Sequence, residues 1–292
     1  MPAQENFQKR DILLTGASGA IGGAIARRLQ AAGYTLHLTS RKKSRLNDLL
    51  RQLRRLSSSR VYTYELNLSN LKQGQGVVRD FFKKAKHPYG LICNAGDLGV
   101  LGAFLKIDFG AWSGAFEQNF LSQAAMIHAF GQGYTTRRLK NGAIVLLSGA
   151  GVGSAIQHTH LSSYGTAKAA LTYLAEALAP ELASSGLTIN AIAPGQVKSG
   201  ITLQAVRAGA KQAGRYAVFA KACLRNGGVS PDLAAQLVEL LLGPAGRKIS
   251  GRLLSARFDQ TSLRKKRGQI IQHPDWFRLR RIDNEMFRPG KP

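Results

Sequence analysis

Short apolar runs bounded by glycine or polar turns alternate along the chain with longer stretches whose apolar positions recur at helical spacing. The runs Asp11–Leu14, Thr35–Thr39, Val61–Leu66, Gly90–Cys93, Ala143–Leu147 and Thr188–Ile192 read as strands, with a last one at Arg252–Ser255. Between them, Ala20–Ala32, Arg45–Leu56, Leu71–Lys84, Phe109–Arg137, Ser162–Ala183 and Pro231–Leu241 read as helices. This repeated order predicts an α/β fold with right-handed crossovers and one parallel, doubly wound sheet flanked by helices. Nothing looks like an interdomain linker. The stretch from Gln196 to Asn226 is rich in small residues and suits a mobile helical lid over a site. The segment after Phe258 lies outside the repeat. The expected organisation is therefore a single α/β domain over residues 1–258 and a C-terminal extension, 259–292, acting as a subunit contact or a loosely ordered arm.

The 292-residue length and 44% hydrophobic content suffice for a large buried core. No run approaches the ~18 apolar residues of a membrane helix, and no secretory signal pattern opens the sequence. Cys93 and Cys223 are too few for a disulfide framework and wrongly spaced for zinc, so a reducing, cytoplasmic setting is expected, with no membrane and no metal. The charge is unusual: 41 Lys plus Arg against 16 Asp plus Glu, a formal +25. Arg41, Lys42, Lys43, Arg45, Arg51, Arg54, Arg55 and Arg60 face only Asp48 in one segment, and Arg264-Lys265-Lys266-Arg267, Arg278, Arg280 and Arg281 load the tail. Such an excess attracts a polyanion or a phosphorylated substrate, or it is simply a solvated basic surface. No nucleic-acid-binding signature accompanies it, which argues against nucleic acid as the partner.

Between the first strand and the first helix the chain reads Thr15-Gly16-Ala17-Ser18-Gly19-Ala20-Ile21-Gly22. A glycine-rich turn there lets backbone N–H groups and the positive end of the helix face a phosphate. Gly16 and Gly19 permit a tight turn and a close approach to a pyrophosphate, and Gly22 lets the helix pack close to the strand. An ordinary strand–turn–helix connection reads the same way. Tyr164 and Lys168, four apart at the start of a helix, project from one face. A nearby ammonium lowers a phenol's pKa, as proton transfer at a carbonyl or alcohol oxygen requires. An exposed amphipathic face would give the same spacing.

Taken in order, the glycine-rich turn, Asn94-Ala95-Gly96 after the fourth strand, a serine after the fifth, Tyr164/Lys168 and Pro194-Gly195 after the sixth resemble the short-chain dehydrogenase/reductase family over about residues 9 to 256. The resemblance implies a seven-stranded Rossmann-type sheet, consistent with the independent strand count, and a homodimer or homotetramer. It implies that Tyr164 is the general acid, that Lys168 lowers its pKa and binds the nicotinamide ribose, and that Asn119 holds a water in a proton relay. Gly16, Ser18, Gly19, Ala20, Ile21 and Gly22 would hold the pyrophosphate, and Asn94, Ala95 and Gly96 would pass beneath the adenosine ribose. Pro194, Gly195, Val197 and Ser199 would contact the nicotinamide.

The chain departs from that pattern at two positions. The family places its serine nearer the tyrosine, often second in a Ser-Ser pair, whereas Ser148 lies 16 residues upstream and Gly149 follows it. Either Ser148 serves, which is the reading preferred here, or the serine is lost. Asn67, followed by Leu68, replaces the usual aspartate at the adenine, and an amide can still accept from an amine.

The second strand ends in Ser40-Arg41-Lys42 with no acid before Asp48. A basic residue there accommodates a 2′-phosphate, so NADP(H) is expected in preference to NAD(H). The stretch Asp275-Trp276-Phe277-Arg278-Leu279-Arg280-Arg281-Ile282 resembles a bacterial subgroup with a Leu-Arg-Arg-hydrophobic tail. There Trp276, Phe277 and Arg280 would line a pocket, reach a neighbouring subunit or pack on the body. His158 and His160 lie in the loop before Tyr164, without a third metal ligand. Two functions stand from the sequence. One is an oxidoreductase interconverting a small carbonyl and alcohol, with a phosphorylated or carrier-linked substrate compatible with the charge. The other is a non-catalytic dinucleotide sensor or polyanion-binding protein on the same fold.

Overall fold

The computed structural model describes residues 10–149, 151–153 and 158–280. At its centre β1 (Asp11–Leu14), β4 (Pro88–Cys93) and β5 (Gly142–Leu147) are buried at every position. Strands this apolar need cover on both faces. The remaining strands are β2 (Thr35–Ser40), β3 (Val61–Glu65), β6 (Leu187–Ala193) and β7 (Leu253–Ser255). All seven pair in parallel, in the order β3-β2-β1-β4-β5-β6-β7. This is the doubly wound sheet expected from the alternating pattern.

One face is covered by α1 (Ala20–Ala31), α2 (Asn47–Leu56) and α8 (Pro231–Leu242), which bring Ile25, Leu29, Leu53 and Leu241 against Ile12, Leu14 and Val145. The other face takes α3 (Leu71–Lys84), α5 (Ser122–Thr136) and α6 (Ser162–Ala183), with Phe81, Phe130 and Leu171 against Leu13, Leu91 and Ile144. Each such side chain, fully buried, contributes about 1.5–3 kcal/mol. Within this second layer lies a polar group the apolar pattern conceals. His37 is fully buried, with Nε2 at 2.9 Å from Asp11 Oδ1 and Nδ1 at 2.8 Å from the Tyr64 hydroxyl. All of its ring polarity is thus satisfied.

The chain builds β1, β2 and β3 outward and then returns to β4 on the other side of β1. A crevice opens where the order reverses, beyond the carboxyl ends of β1 and β4. Both the glycine-rich turn and Asn94-Ala95-Gly96 follow those ends.

One helix differs from the sequence reading, and the stretch expected as a helical lid is broken twice. The single helix expected over Phe109–Arg137 is α4 (Phe109–Phe116) and α5 joined by a π-helical turn, Glu117–Leu121. Asn119 lies inside this turn, and its Nδ2 donates to Ala115 O at 2.9 Å, one helical turn back. The stretch after the sixth strand forms α7 (Gly200–Asn226), interrupted at Gly209 (φ 70°, ψ 177°) and Gly214 (φ 53°, ψ −144°). These conformations suit glycine alone, so the sequence spells three helical segments rather than one.

The C-terminal segment is fastened to the body. α9 (Gln260–Lys265) and α10 (Arg267–Gln272) bury Leu263 and Ile270 in the α1/α8 layer. The buried Arg252 guanidinium donates to the carbonyls of Ile270 at 3.1 Å and Trp276 at 2.6 Å and also to that of Pro274. Trp276 stacks on His273 with ring centroids 4.3 Å apart, and Arg280 pairs with Glu176 of α6 at 2.6 Å. Arg281 and Ile282 of the tail motif lie outside the described residues.

Candidate active site

The crevice is a cleft of about 890 Å³, and most of the sequence-selected binding residues line it. Gly16, Ser18, Gly19, Ala20, Ile21 and Gly22 form one wall, Arg41, Asn67 and Leu68 the outer end, Asn94, Ala95 and Gly96 the floor, and Ser199 meets them from the start of α7. Pro194, Gly195 and Val197 are not part of this lining. Gly195 (φ 81°) turns the chain after β6, and Val197 is buried, its carbonyl accepting from Thr202 Oγ1 at 2.7 Å.

The turn is locked from below. Thr15 Oγ1 accepts from the backbone of Asn94 at 2.9 Å and Ala95 at 3.0 Å, while Asn94 Nδ2 donates to the carbonyls of Thr15 at 2.9 Å and Gly16 at 3.0 Å. Gly16 adopts φ 66°, and a Cβ there would meet Ala95 Cα at 2.8 Å. At Gly22 a Cβ would meet Gly16 O at 2.3 Å. Gly19 differs, because its Cβ would have only Gly16 O near it, at 3.5 Å. Its smallness keeps the cleft open rather than the turn closed. No side chain caps the N-terminus of α1, so its free N–H groups and positive end face the cleft. A cradle that side chains would fill, beside an open helix end, fits a diphosphate.

At the outer end, Arg41 and Arg45 are exposed and line the cleft beside Ser18 and Ser40, whose hydroxyls lie 3.0 Å apart. Asp97 is the one acid among the described lining residues. Its oxygens accept from Gly99 N at 2.8 Å and Gln118 Nε2 at 2.9 Å.

Tyr164 and Lys168 lie on one face of α6, 7% and 2% exposed, with Lys168 Nζ 5.6 Å from the centre of the Tyr164 ring. Lys168 Nζ donates to Leu147 O, at the end of β5, at 2.7 Å. It also abuts the cleft floor: a Cβ on Gly96 would lie 3.7 Å from it. Burial drives both groups toward neutrality. It lowers Lys168 to about 8, against a small opposing influence of Cys93. It raises the Tyr164 phenol, helped by Tyr216 and Asp97. Desolvation thus moves the phenol opposite to the lowering expected from the Tyr/Lys spacing.

Asn119 is fully buried and its amide is consumed in structure: Nδ2 donates to Asp97 O at 3.0 Å and Ala115 O at 2.9 Å, and Oδ1 accepts from Asp97 N at 3.2 Å. The Ser148 hydroxyl lies 2.8 Å from Thr172 Oγ1 and 3.4 Å from Lys168 O. It is thus engaged with α6, and the residue beside the phenol is its neighbour in sequence. Gly149 occupies that place, since a Cβ on it would lie 3.6 Å from the Tyr164 hydroxyl. Adjacent residues of an extended chain point to opposite sides, so positions 148 and 149 face differently.

Sequence reasoning missed Arg45, Asp97, Gln118, Gln204 and Arg207 in the cleft lining. Arg45 lay within the basic run and Gln118 beside Asn119. Gln204 and Arg207 carried no signal, because only the fold brings α7 over the cleft. Among the described residues no group of three His, Cys, Asp or Glu side chains could hold a metal ion.

Comparison with known proteins bears on this arrangement. The sequence model of the short chain dehydrogenase family matches residues 10–209. Nodulation protein G of Rhizobium meliloti (strain 1021) is 31% identical over 181 residues, 62% of this chain and 70% of that protein. For two Arabidopsis thaliana relatives the matched stretch is half of their own length. Among solved structures, a variant of actinorhodin polyketide ketoreductase with NADPH shares the fold at a TM-score of 0.74 and 22% identity, over 85% of this chain and 95% of that one. NAD+-bound xylitol dehydrogenase does so at 0.75 and 22%, over 86% and 98%.

Proposed function

Because the chain belongs to the short-chain dehydrogenase family and is an oxidoreductase, we propose that it interconverts a carbonyl and an alcohol with NADP(H), Tyr164 acting as acid and base. The observation that carries this reading is the buried Tyr164–Lys168 pair, with the Lys168 ammonium against the floor of a cleft built to cradle a diphosphate. When bound, the nicotinamide cofactor supplies or accepts the hydride. Gly16, Gly19, Gly22 and the open end of α1 hold its diphosphate, and Arg41, aided by Arg45, takes the 2′-phosphate through charge-assisted hydrogen bonds.

Burial keeps the Tyr164 phenol protonated, the form that donates to a carbonyl oxygen during reduction. Lys168, anchored on Leu147 O, stabilises the phenolate left behind. Asn119 positions the site by fixing both the π-helical turn and the backbone of Asp97. Gly149 leaves space beside the phenol where the family more often sets a hydroxyl. The cationic surface suits a carbonyl carried on a phosphate, a nucleotide or an acidic carrier. A dimer or tetramer has a candidate face in Phe104, Leu105 and Phe109, which are 53%, 93% and 67% exposed. No helix of the described residues is long and apolar enough to cross a membrane.

Nicotinamide absorbance during turnover, followed for the parent and Tyr164→Phe on the best of a carbonyl panel, tests this. The phenol's loss is expected to cut kcat by ~10²–10⁴ while leaving cofactor affinity unchanged. Equal turnover sinks the assignment of Tyr164. Cofactor binding without turnover of any carbonyl favours the dinucleotide-sensor reading.

A further inference from the structure

The wall of the cleft contributed by α7 carries a cation that the chemistry above does not use. Arg207 is exposed and lines the cleft, and no carboxylate pairs with it among the described residues. The one acid of the described lining, Asp97, has both oxygens engaged by Gly99 N and Gln118 Nε2. The helical segment that bears Arg207 runs from the extended Ser199 to the break at Gly209. Buried Thr202 and Ala205 seat this segment, and Gln204 ties it to the loop after β4. Gln204 Oε1 accepts from Leu98 N at 3.3 Å, and its Nε2 donates to Gly99 O at 3.5 Å. Residues three apart share a helix face, so the side that is tied down also presents the guanidinium to the cleft.

We propose that Arg207 grips the diphosphate of the dinucleotide from the lid, so that cofactor binding and seating of the first lid segment are coupled. The assignment rests on the cofactor reading above. The glycine-rich turn offers the diphosphate only backbone N–H groups and the partial charge of a helix end, with no cationic side chain in Thr15 to Gly22. Arg41 and Arg45 stand at the end of β2, on the ribose side, and serve the 2′-phosphate. A guanidinium from the opposing element supplies the missing full charge and the bidentate geometry a phosphate takes.

Binding of NADPH and NADH to the full chain, read from nicotinamide fluorescence without substrate, tests the proposal on the parent, Arg207→Gln, Arg207→Lys and Arg41→Gln. Arg207→Gln is expected to raise Kd about tenfold for both nucleotides, about 1.4 kcal/mol, with the loss in a faster dissociation rate. Arg207→Lys is expected to recover part of it, and Arg41→Gln to weaken NADPH alone. Because Arg207 is exposed, its variants should melt with the parent. Parental affinity of Arg207→Gln for both nucleotides overturns the assignment and leaves the cofactor reading intact. A loss confined to NADPH overturns it too, by moving Arg207 to the 2′-phosphate. A parent chain that binds neither nucleotide overturns the cofactor reading itself and this assignment with it.

Discussion

The hydroxyl of Ser148 lies 2.8 Å from that of Thr172, which directs it onto α6. Replacing Ser148 by alanine should lower kcat by less than about threefold and stability by about 1 kcal/mol, since Thr172 keeps its bond to Lys168 O at 2.8 Å. Steady-state kinetics and urea melts of the variant check this. A hundredfold loss of kcat would instead put the Ser148 hydroxyl on the substrate.

Lys168, lowered to about 8 by burial, makes both stability and rate depend on pH. Between about pH 8 and the ordinary value of 10.5 the unfolded chain binds the proton and the folded one does not, so stability rises with pH across that window. Below pH 8 both states are charged, and folding carries the whole cost of burying the ammonium. Lys168→Met should therefore raise Tm at pH 7, by an amount that shrinks as pH climbs from 8 to 10.5. In the reductive direction kcat should fall above about pH 8 in the parent, and Lys168→Arg should carry that limb higher. A parental profile flat through pH 9 would show that the ammonium is not required.

Gly22 and Gly19 are three residues apart yet should respond oppositely to alanine. At Gly22 the added carbon collides with Gly16 O at 2.3 Å and Asn94 Nδ2 at 2.8 Å, which should cost about 1–3 kcal/mol and loosen the turn. At Gly19, with its nearest neighbour at 3.5 Å, the fold should melt as before while dinucleotide affinity drops. Thermal melts paired with fluorescence titrations separate the two. Equal destabilisation of both variants would contradict the geometry.

Arg41→Asp should reverse nucleotide preference, because an acid at the end of β2 favours a ribose 2′-hydroxyl and repels a 2′-phosphate. The ratio of kcat/KM for NADPH over NADH should fall at least about tenfold. An unchanged ratio would move recognition of the 2′-phosphate to Arg45 alone.

Arg252 should prove the fastening of the C-terminal segment. Arg252→Met strips the carbonyls of Ile270, Pro274 and Trp276 of a common donor, at about 3–5 kcal/mol. Limited proteolysis should then cut within residues 266–280 at enzyme levels that spare the parent. Resistance equal to the parent's would show that Leu263 and Ile270 alone hold the segment.

The sheet was legible in the sequence because its strands are continuous apolar runs set between glycine and polar turns. The glycine-rich turn and the Tyr164/Lys168 pair were legible because backbone geometry and helix spacing are local properties. Four features were not, each for a physical reason. The π-helical turn at Asn119 widens the backbone ladder within one helix, which apolar periodicity does not register. Ser148's direction depends on the parity of the extended chain relative to α6, and a shift of one residue reverses it. Lys168's depressed pKa comes from how deeply the fold buries it, and no neighbour in sequence announces that depth. Gln204 and Arg207 reach the cleft only after α7 has packed against the loop that follows β4.

The edge strand β7 has one further consequence. Leu253 N–H, which would point outward from the last strand, donates to Phe277 O at 2.7 Å. An open strand edge is a template on which other chains add, and here the protein's own C-terminal segment occupies it. The fastening through Arg252 thus protects against aggregation as well as adding stability, and a chain cut before Phe277 would be expected to keep its active-site residues yet assemble edge to edge.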